Sequence, residues 1–119
     1  LAELDTHFAS AAHERVGTLT MLDVGTGLGD IPRAARGHAA ARGLTLQTIG
    51  LEVNGPLAQA ARERAGLVLA GDARALPFAT GSVDFIICSQ VLHHLDDDDA
   101  QALLGELTRV ARRGVIVSD

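Results

Sequence analysis

Two kinds of hydrophobic pattern alternate along this chain. In one, apolar residues recur every three or four positions, which is typical of a helix that buries one face. In the other, short apolar runs are bounded by glycine or acidic residues, which is typical of strands buried on both faces of a parallel sheet. The first pattern predicts helices over residues 1–16, 30–43, 54–64 and 96–111. The second predicts strands over residues 19–24, 44–52, 67–70, 83–89 and 115–119.

Local signals mark where two of the helices begin. Asp30 is expected to cap the second helix, with Pro32 in its first turn. The third helix is expected to begin at the segment Asn54-Gly55-Pro56. The second helix is predicted to bury one apolar stripe, formed by Ile31, Ala34, Ala35, His38 and Ala39.

The order of the elements predicts the fold. A helix followed by alternating strands and helices implies right-handed crossovers between parallel strands. We therefore expect an α/β fold, a three-layer Rossmann-like sandwich in which a mainly parallel sheet has helices on both faces. The 119 residues contain no repeat and no linker, so we expect one domain over residues 1–119. The sequence lacks an initial Met and ends on an apolar run, and we interpret it as a piece of a longer protein.

Composition and charge narrow the choice of partners. The formal net charge is −5, and the ten basic residues are all arginines scattered along the chain, which argues against a nucleic-acid partner. The single cysteine, Cys88, excludes an internal disulfide and a cysteine-rich zinc site, and it fits a reducing cytoplasm. No apolar run approaches the roughly 20 residues that cross a bilayer. We therefore expect a cytoplasmic protein with no membrane partner.

The most specific motif joins the first strand to the second helix. Residues 22–30 read LDVGTGLGD, with a glycine at every second position from Gly25 to Gly29. Glycine lets the backbone approach a ligand without a Cβ clash, and the following helix presents unpaired N–H groups to an anionic end. The motif predicts a cofactor-binding turn. Its third glycine comes one residue earlier than in the dinucleotide-binding pattern G-x-G-x-x-G.

Acidic residues stand at the ends of three successive predicted strands. They are Asp23, Glu52 and Asp72. Because the carboxyl ends of parallel strands meet at one edge of a sheet, we expect these carboxylates to surround one ligand.

Four segments in this order resemble the class I S-adenosylmethionine-dependent methyltransferases, especially small-molecule enzymes of the type 11 and type 12 groupings. The segments are LDVGTGLGD at 22–30, GLEVN at 50–54, GDARALPFATGSVDFIICSQVLHHL at 71–95 and LLGELTRVARRGVIVSD at 103–119. The resemblance covers nearly the whole chain. It implies that the protein binds S-adenosylmethionine (SAM) and methylates a small-molecule acceptor. In that family two further strands and a helix would follow Asp119, so the C-terminal strands of the full fold are expected to be lacking here.

The resemblance also assigns cofactor contacts. Glu52 would accept hydrogen bonds from both ribose hydroxyls, and Val53 would lie against the adenine face. Asp72 would accept from the adenine amine, while the Ala73 N–H would donate to a ring nitrogen. The methionine end of SAM would be held by two groups of residues: Asp23, Gly25, Thr26, Gly27 and Gly29 in the glycine turn, and Ser89 and Gln90 after the fourth strand.

No catalytic residue and no metal site is assigned from the sequence. Either His93 or His94 could deprotonate an acceptor hydroxyl or amine, but methyl transfer depends largely on proximity and orientation and does not require a base in every case. The run Asp96–Asp99 is expected to favour a helix start through capping and the helix dipole rather than to bind metal.

Two other functions stay open. One is a non-catalytic cofactor-binding subunit with a Rossmann-like fold, and the other is an NAD(P)-dependent oxidoreductase, which the early third glycine and the acidic segment at Asp72 argue against.

The apolar strand at 115–117 would be an exposed edge if nothing follows it, and such an edge can pair with another chain, including a second copy of this protein.

Overall fold

Strands and helices alternate along the chain in the computed structural model, which describes residues 2–14 and 17–118. The strands are β1 (Thr18–Val24), β2 (Thr45–Glu52), β3 (Leu67–Ala70), β4 (Val83–Ser89) and β5 (Ala111–Ser118). The helices are α1 (Ala2–His13), α2 (Asp30–Ala40), α3 (Gly55–Ala65) and α4 (Asp97–Val110), and a short 3-10 helix covers Leu92–His94. Positions 1, 15, 16 and 119 of the predicted elements lie outside the described residues.

The described strands form one parallel sheet in the order β3-β2-β1-β4-β5. The strand order reverses between β1 and β4, which lie side by side although two strands separate them in sequence. Val24 at the end of β1 pairs with Leu51 of β2 and with Cys88 of β4. The carboxyl ends of three strands therefore meet at the switch point, where open α/β sheets bind ligands. The predicted Rossmann-like fold is confirmed.

The core lies on both faces of the sheet. Alternate residues of β1 point to opposite sides, so Met21 packs with α1 and α2, whereas Leu22 packs with α4. In β4, Phe85 and Ile86 divide between the two faces in the same way. This double burial explains why the strands read as continuous apolar runs. A third, smaller cluster joins α3 to the sheet and consists of Ala58, Ala61 and Val68.

The start of α2 differs from the sequence prediction. Gly29, with φ of 83°, occupies the cap position, and Asp30 is the first helical residue. The prediction that Asp30 caps the helix is therefore wrong, because the glycine turn extends through Gly29 before the helix begins. Asp30 in the first turn still interacts favourably with the helix dipole.

The buried stripe of α2 also differs from the prediction. Ala35 and Ala39 are buried as expected, but Pro32 is the third buried residue, whereas Ala34 and His38 are exposed. Ile31 is partly buried and packs against the same core, so the covered face runs through Ile31, Pro32, Ala35 and Ala39. His38 lies at the edge of that contact, with its Nδ1 3.2 Å from Oδ1 of Asp5 on α1.

The connection between α4 and β5 is shorter than predicted. The helix pattern extends to Ala111 in the sequence, yet α4 ends at Val110 and Ala111 already pairs with Val83 in the sheet. Arg113 lies within β5, and its guanidinium reaches the buried Asp84 of β4, with Nε 3.4 Å from Oδ1, and Glu14 just after α1, with Nη1 2.9 Å from Oε2. β5 forms one edge of the described sheet, as expected for the final strand.

Candidate cofactor-binding site

A cavity of about 520 Å³ opens at the carboxyl ends of β1, β2 and β4. It is large enough for a nucleoside-sized ligand. Seven of the residues predicted as cofactor contacts line it: Gly25, Glu52, Val53, Asp72, Ala73, Ser89 and Gln90. The other four predicted residues do not line the cavity: Asp23, which lies in β1, and Thr26, Gly27 and Gly29, which lie in the turn after β1.

Backbone hydrogen bonds hold the glycine turn onto β2. The N–H groups of Gly25 and Thr26 both donate to the Leu51 carbonyl, at 2.9 and 3.1 Å. Gly25 has a φ of 72°, and a Cβ there would come within 2.7 Å of Cγ2 of Val91. A side chain at position 25 would therefore clash with the cavity wall as well as strain the backbone.

Thr26 holds the turn together from below. Its hydroxyl donates to Oδ2 of Asp23 at 2.9 Å. A Cβ on Gly50 would come within 2.8 Å of Cγ2 of Thr26, which is too close for two carbon atoms. Thr26 thus anchors the glycine turn to the sheet, and the absence of a side chain at Gly50 of β2 leaves space for it.

The Glu52 carboxylate links the glycine turn to the start of α3. Oε1 accepts from the Gly27 N–H at 2.9 Å, and Oε2 accepts from the Asn54 N–H at 3.1 Å. Only 8% of the residue is exposed, yet it lines the cavity. Two backbone donors therefore fix the orientation of the carboxylate and leave part of its acceptor capacity free.

Asp23 is the most deeply buried acid of the site, with 1% of its surface exposed. Burial raises the pKa of the Asp23 carboxyl to about 6; the hydrogen bond from Thr26 lowers it, and the charge of Glu52 raises it further. Within the described part of the chain, Oδ1 of Asp23 has no hydrogen-bond partner. A buried acceptor of this kind favours a donor or a positive charge nearby.

Asp72 lies on the far side of the cavity and is bound by Arg74. The Arg74 backbone N–H donates to Oδ1 at 2.9 Å, and the guanidinium Nε lies 3.0 Å from both carboxylate oxygens. These hydrogen bonds lower the pKa of the Asp72 carboxyl to about 2. Asp72 is therefore held ionised at the lip of the cavity. The sequence analysis missed Arg74, although its position two residues after the acid is a usual one for a local pair.

Gln90 has strained backbone geometry at the end of β4. Its φ is 59°, and among the described residues no other non-glycine has a positive φ. The Gln90 N–H donates to the Ser118 carbonyl of β5 at 2.8 Å, which helps to hold this conformation. Strain of this kind persists where the surrounding structure enforces it, and it is concentrated at ligand sites. The residue before it, Ser89, also lines the cavity.

A family model for a methyltransferase domain matches residues 22–118. The chain belongs to this family. Its members are class I SAM-dependent methyltransferases, as the sequence resemblance indicated. No curated protein matches the chain in sequence.

Solved structures of class I enzymes share the fold of this methyltransferase domain. One chain of the complex between the Haloferax volcanii Trm112 methyltransferase activator and a methyltransferase is 28% identical, with a TM-score of 0.67 over 92% of this chain and 49% of that chain. A SAM-dependent methyltransferase from Thermotoga maritima is 23% identical, with a TM-score of 0.66 and coverage of 95% and 50%. Magnesium protoporphyrin IX methyltransferase from Synechocystis PCC 6803, solved with SAM, is 20% identical, with a TM-score of 0.72 and coverage of 98% and 56%. The chain therefore spans about half the length of these structures.

In this methyltransferase domain, α4 holds the loop that follows Asp72. Oε1 of Glu106 accepts from the Leu76 N–H at 2.8 Å. The Arg109 guanidinium donates to the carbonyls of Phe78 and Leu76, at 2.9 and 3.2 Å, and also pairs with Glu106. This loop carries one wall of the cavity. The sequence analysis missed both charged residues, because a charged pair on an amphipathic helix resembles an ordinary solvated face.

The two histidines differ in their relation to the cavity. His94 lines it, whereas His93 does not, although their rings lie 4.0 Å apart. Asp96 caps α4 by accepting from the Asp99 N–H at 2.8 Å, which confirms the structural role expected for the acidic run. No group of His, Cys, Asp and Glu within residues 2–14 and 17–118 is arranged to hold a metal ion. Over the same residues, no helix has the length and apolarity to span a bilayer.

Proposed function

We propose that this domain binds SAM in the cavity beside the glycine turn and transfers the methyl group to a small-molecule acceptor, with S-adenosylhomocysteine (SAH) as the other product. The observation that carries the proposal is the convergence of Gly25, Glu52 and Asp72, from three separate strand ends, on one cavity of about 520 Å³. Residues 1–119 are proposed to act as one cofactor-binding domain.

The contacts of Glu52 suit a ribose diol. A carboxylate offers about four acceptor positions, and the N–H groups of Gly27 and Asn54 take two of them. The remaining capacity can accept from two neighbouring hydroxyls, and the backbone donors hold the carboxylate in place before the ligand arrives. Val53 is 79% exposed next to Glu52, and adenine is proposed to cover it.

The other end of the cavity suits the methionine portion of SAM. Gly25 exposes backbone at the cavity, and Gln90, with its strained backbone, lines the same cavity. The unpartnered Oδ1 of Asp23 adds negative potential near the turn. These features support binding of a ligand that carries positive amino and sulfonium groups.

When bound, SAM supplies an electrophilic methyl carbon. The residues of the domain would then hold the cofactor, align the acceptor and exclude water, which are the main contributions of a protein to an in-line displacement. If the acceptor needs a base, His94 is the better candidate of the two histidines because it lines the cavity. A small-molecule acceptor is supported by the family resemblance and by the net charge of −5.

Calorimetric titration of the purified protein with SAM, SAH and NADH tests the cofactor. We expect saturable binding of SAM and SAH and none of NADH. Glu52→Ala and Asp72→Ala should each weaken SAH binding by roughly tenfold or more, because each removes a charged hydrogen-bond acceptor for the ligand. Asp5→Ala, which removes a carboxylate outside the cavity, should bind SAH like the unmodified protein. Saturable NADH binding in place of SAH would support an oxidoreductase instead.

Transfer of a labelled methyl group from SAM tests the acceptor. The acceptor panel consists of small molecules that carry a hydroxyl group, an amine or an acidic C–H group. At least one of them should become labelled, whereas a transfer RNA pool should stay unlabelled. A labelled RNA would contradict the small-molecule assignment. Binding of SAM without transfer to any member of either set would favour the non-catalytic subunit.

A further inference from the structure

The Asp72 carboxylate accepts from three N–H groups of a single residue, Arg74. Oδ1 accepts from the backbone N–H and the Nε of Arg74, and Oδ2 accepts from the Nε and Nη2. Three N–H hydrogens make these four contacts, since the Nε hydrogen is shared between the two oxygens, and they take most of the roughly four acceptor positions of a carboxylate. An adenine amine that approaches Asp72 therefore competes with Arg74 for this carboxylate.

Arg74 has a second partner outside the cavity. Its Nη1 lies 3.0 Å from Oδ2 of Asp99, in the first turn of α4. The side chains of Asp72, Arg74 and Asp99 are 47%, 44% and 39% exposed. Pairs this open to water are readily exchanged. The guanidinium can thus leave one carboxylate while it remains paired with the other.

We infer that Arg74 sets cofactor affinity by competing with the adenine amine for Asp72, and that it moves onto Asp99 when the cofactor binds. The inference rests on the proposed function, in which Asp72 accepts from adenine. Asp99 contacts Nη1 of Arg74 in this structure, and the Nε and Nη2 groups that leave Asp72 would turn to Asp99 as well; this additional pairing favours binding. Arg74 is thus an affinity-determining residue that needs no contact with the reacting atoms.

The test is calorimetric titration of the purified protein with SAH at low salt. Because SAH lacks the sulfonium charge of SAM, its binding is less sensitive to the general loss of a positive residue. Arg74→Ala should bind SAH about two- to fivefold more tightly than the unmodified protein, the range set by an exposed ion pair. Asp99→Asn should bind SAH more weakly, because Arg74 then loses its second partner. At roughly 1 M salt, where screening acts over about 3 Å, both differences should shrink.

Two controls separate competition for Asp72 from other effects. The 6-deamino analogue of SAH, in which hydrogen replaces the exocyclic amine, makes no demand on Asp72 and should bind equally to the protein with and without Arg74→Ala. Arg42→Ala removes an exposed arginine near the start of β2, at the opposite end of the strands, and should leave SAH affinity unchanged. A tighter affinity for both ligands in Arg74→Ala would indicate a general charge effect and would overturn the inference.

The two proposals fail in different ways. If SAH binds and Asp72→Ala weakens it, but Arg74→Ala is unchanged or weaker, the inference about Arg74 is wrong and the cofactor site stands. If the folded, unmodified protein binds neither SAM nor SAH, the proposed function is wrong, and the inference that depends on it falls as well. Thermal unfolding of each variant checks that it is folded before titration.

Discussion

A single buried carboxylate, Asp23, makes the stability of the domain depend on pH. Its folded-state pKa of about 6 lies above the usual aspartate value of 3.8, chiefly because burial disfavours the charged form. Between these two values the folded state holds a proton that the unfolded state has released. Stability from this group is therefore complete below about pH 3.8 and is lost as the pH rises through 6.

Replacing Asp23 with asparagine should remove this dependence. Asp23→Asn keeps an oxygen that can accept from Thr26 and carries no charge to bury. We expect the variant to gain up to roughly 3 kcal/mol in the free energy of unfolding, relative to the unmodified protein, as the pH is raised from 4 to 7. Urea unfolding at several pH values measures this difference. Asp97→Asn, at an exposed carboxylate of α4, is the control; if Asp23→Asn shows the same pH profile as the unmodified protein, the assigned cause is wrong.

Among the elements, α4 and the loop over residues 73–81 act as one unit. The loop has no regular structure over most of its length, and its polar backbone groups find partners on the helix instead. Glu106 accepts from one loop N–H, and Arg109 donates to two loop carbonyls. One pair of side chains therefore holds the loop against the helix. Ala73 and Arg74, at the start of this loop, line the cavity. By holding the loop, α4 therefore positions one wall of the cavity.

Truncation of Arg109 should loosen that wall selectively. Arg109→Ala leaves the carbonyls of Leu76 and Phe78 without their donor, so amide hydrogens over residues 74–82 should exchange roughly tenfold faster, while those of β1 stay protected. Hydrogen-exchange mass spectrometry measures both. Arg62→Ala removes a similar bond, from Nε to the Val68 carbonyl, and should affect only the region around β3. Unchanged exchange in the loop would show that Arg109 does not hold it.

At the scale of the whole molecule, the two edges of the described sheet are unequal. β3 has four residues, whereas β5 has eight and contains Val117, which is 40% exposed. A longer edge presents more unpaired backbone groups, and an apolar one has less to prevent pairing with another chain. β5 is therefore the edge where association of this chain with a second copy is expected.

A charge on that edge should prevent association. The sedimentation coefficient of the 119-residue chain should rise with protein concentration, and Val117→Lys should hold it at the monomer value, because a buried lysine disfavours strand pairing. Leu67→Lys, at an exposed position of β3, is the matched control and should behave like the unmodified chain. A chain that stays monomeric at high concentration would contradict the prediction.

Several features follow from local sequence and could be predicted without coordinates. The period of the apolar residues determines where strands and helices lie, and their alternation determines a parallel sheet with a switch point. The glycines after β1 and the acids Asp23, Glu52 and Asp72 mark strand ends because each such signal is contained in a few neighbouring residues. The convergence of Glu52 and Asp72 on one cavity follows from the same topology.

Only the tertiary structure decided how these residues are held. Thr26 supports the turn because Gly50, on another strand, leaves space for it, and Gln90 keeps its strained φ through a bond to β5. The hydrogen bonds of Arg109 to its loop join segments about 30 residues apart, and the pairing of Arg74 with Asp72 depends on side-chain conformations. Periodicity reports which face of an element is buried, but it carries no information on which distant groups meet there. The sequence therefore determined the location of the site, and long-range packing determined its electrostatics and its rigidity.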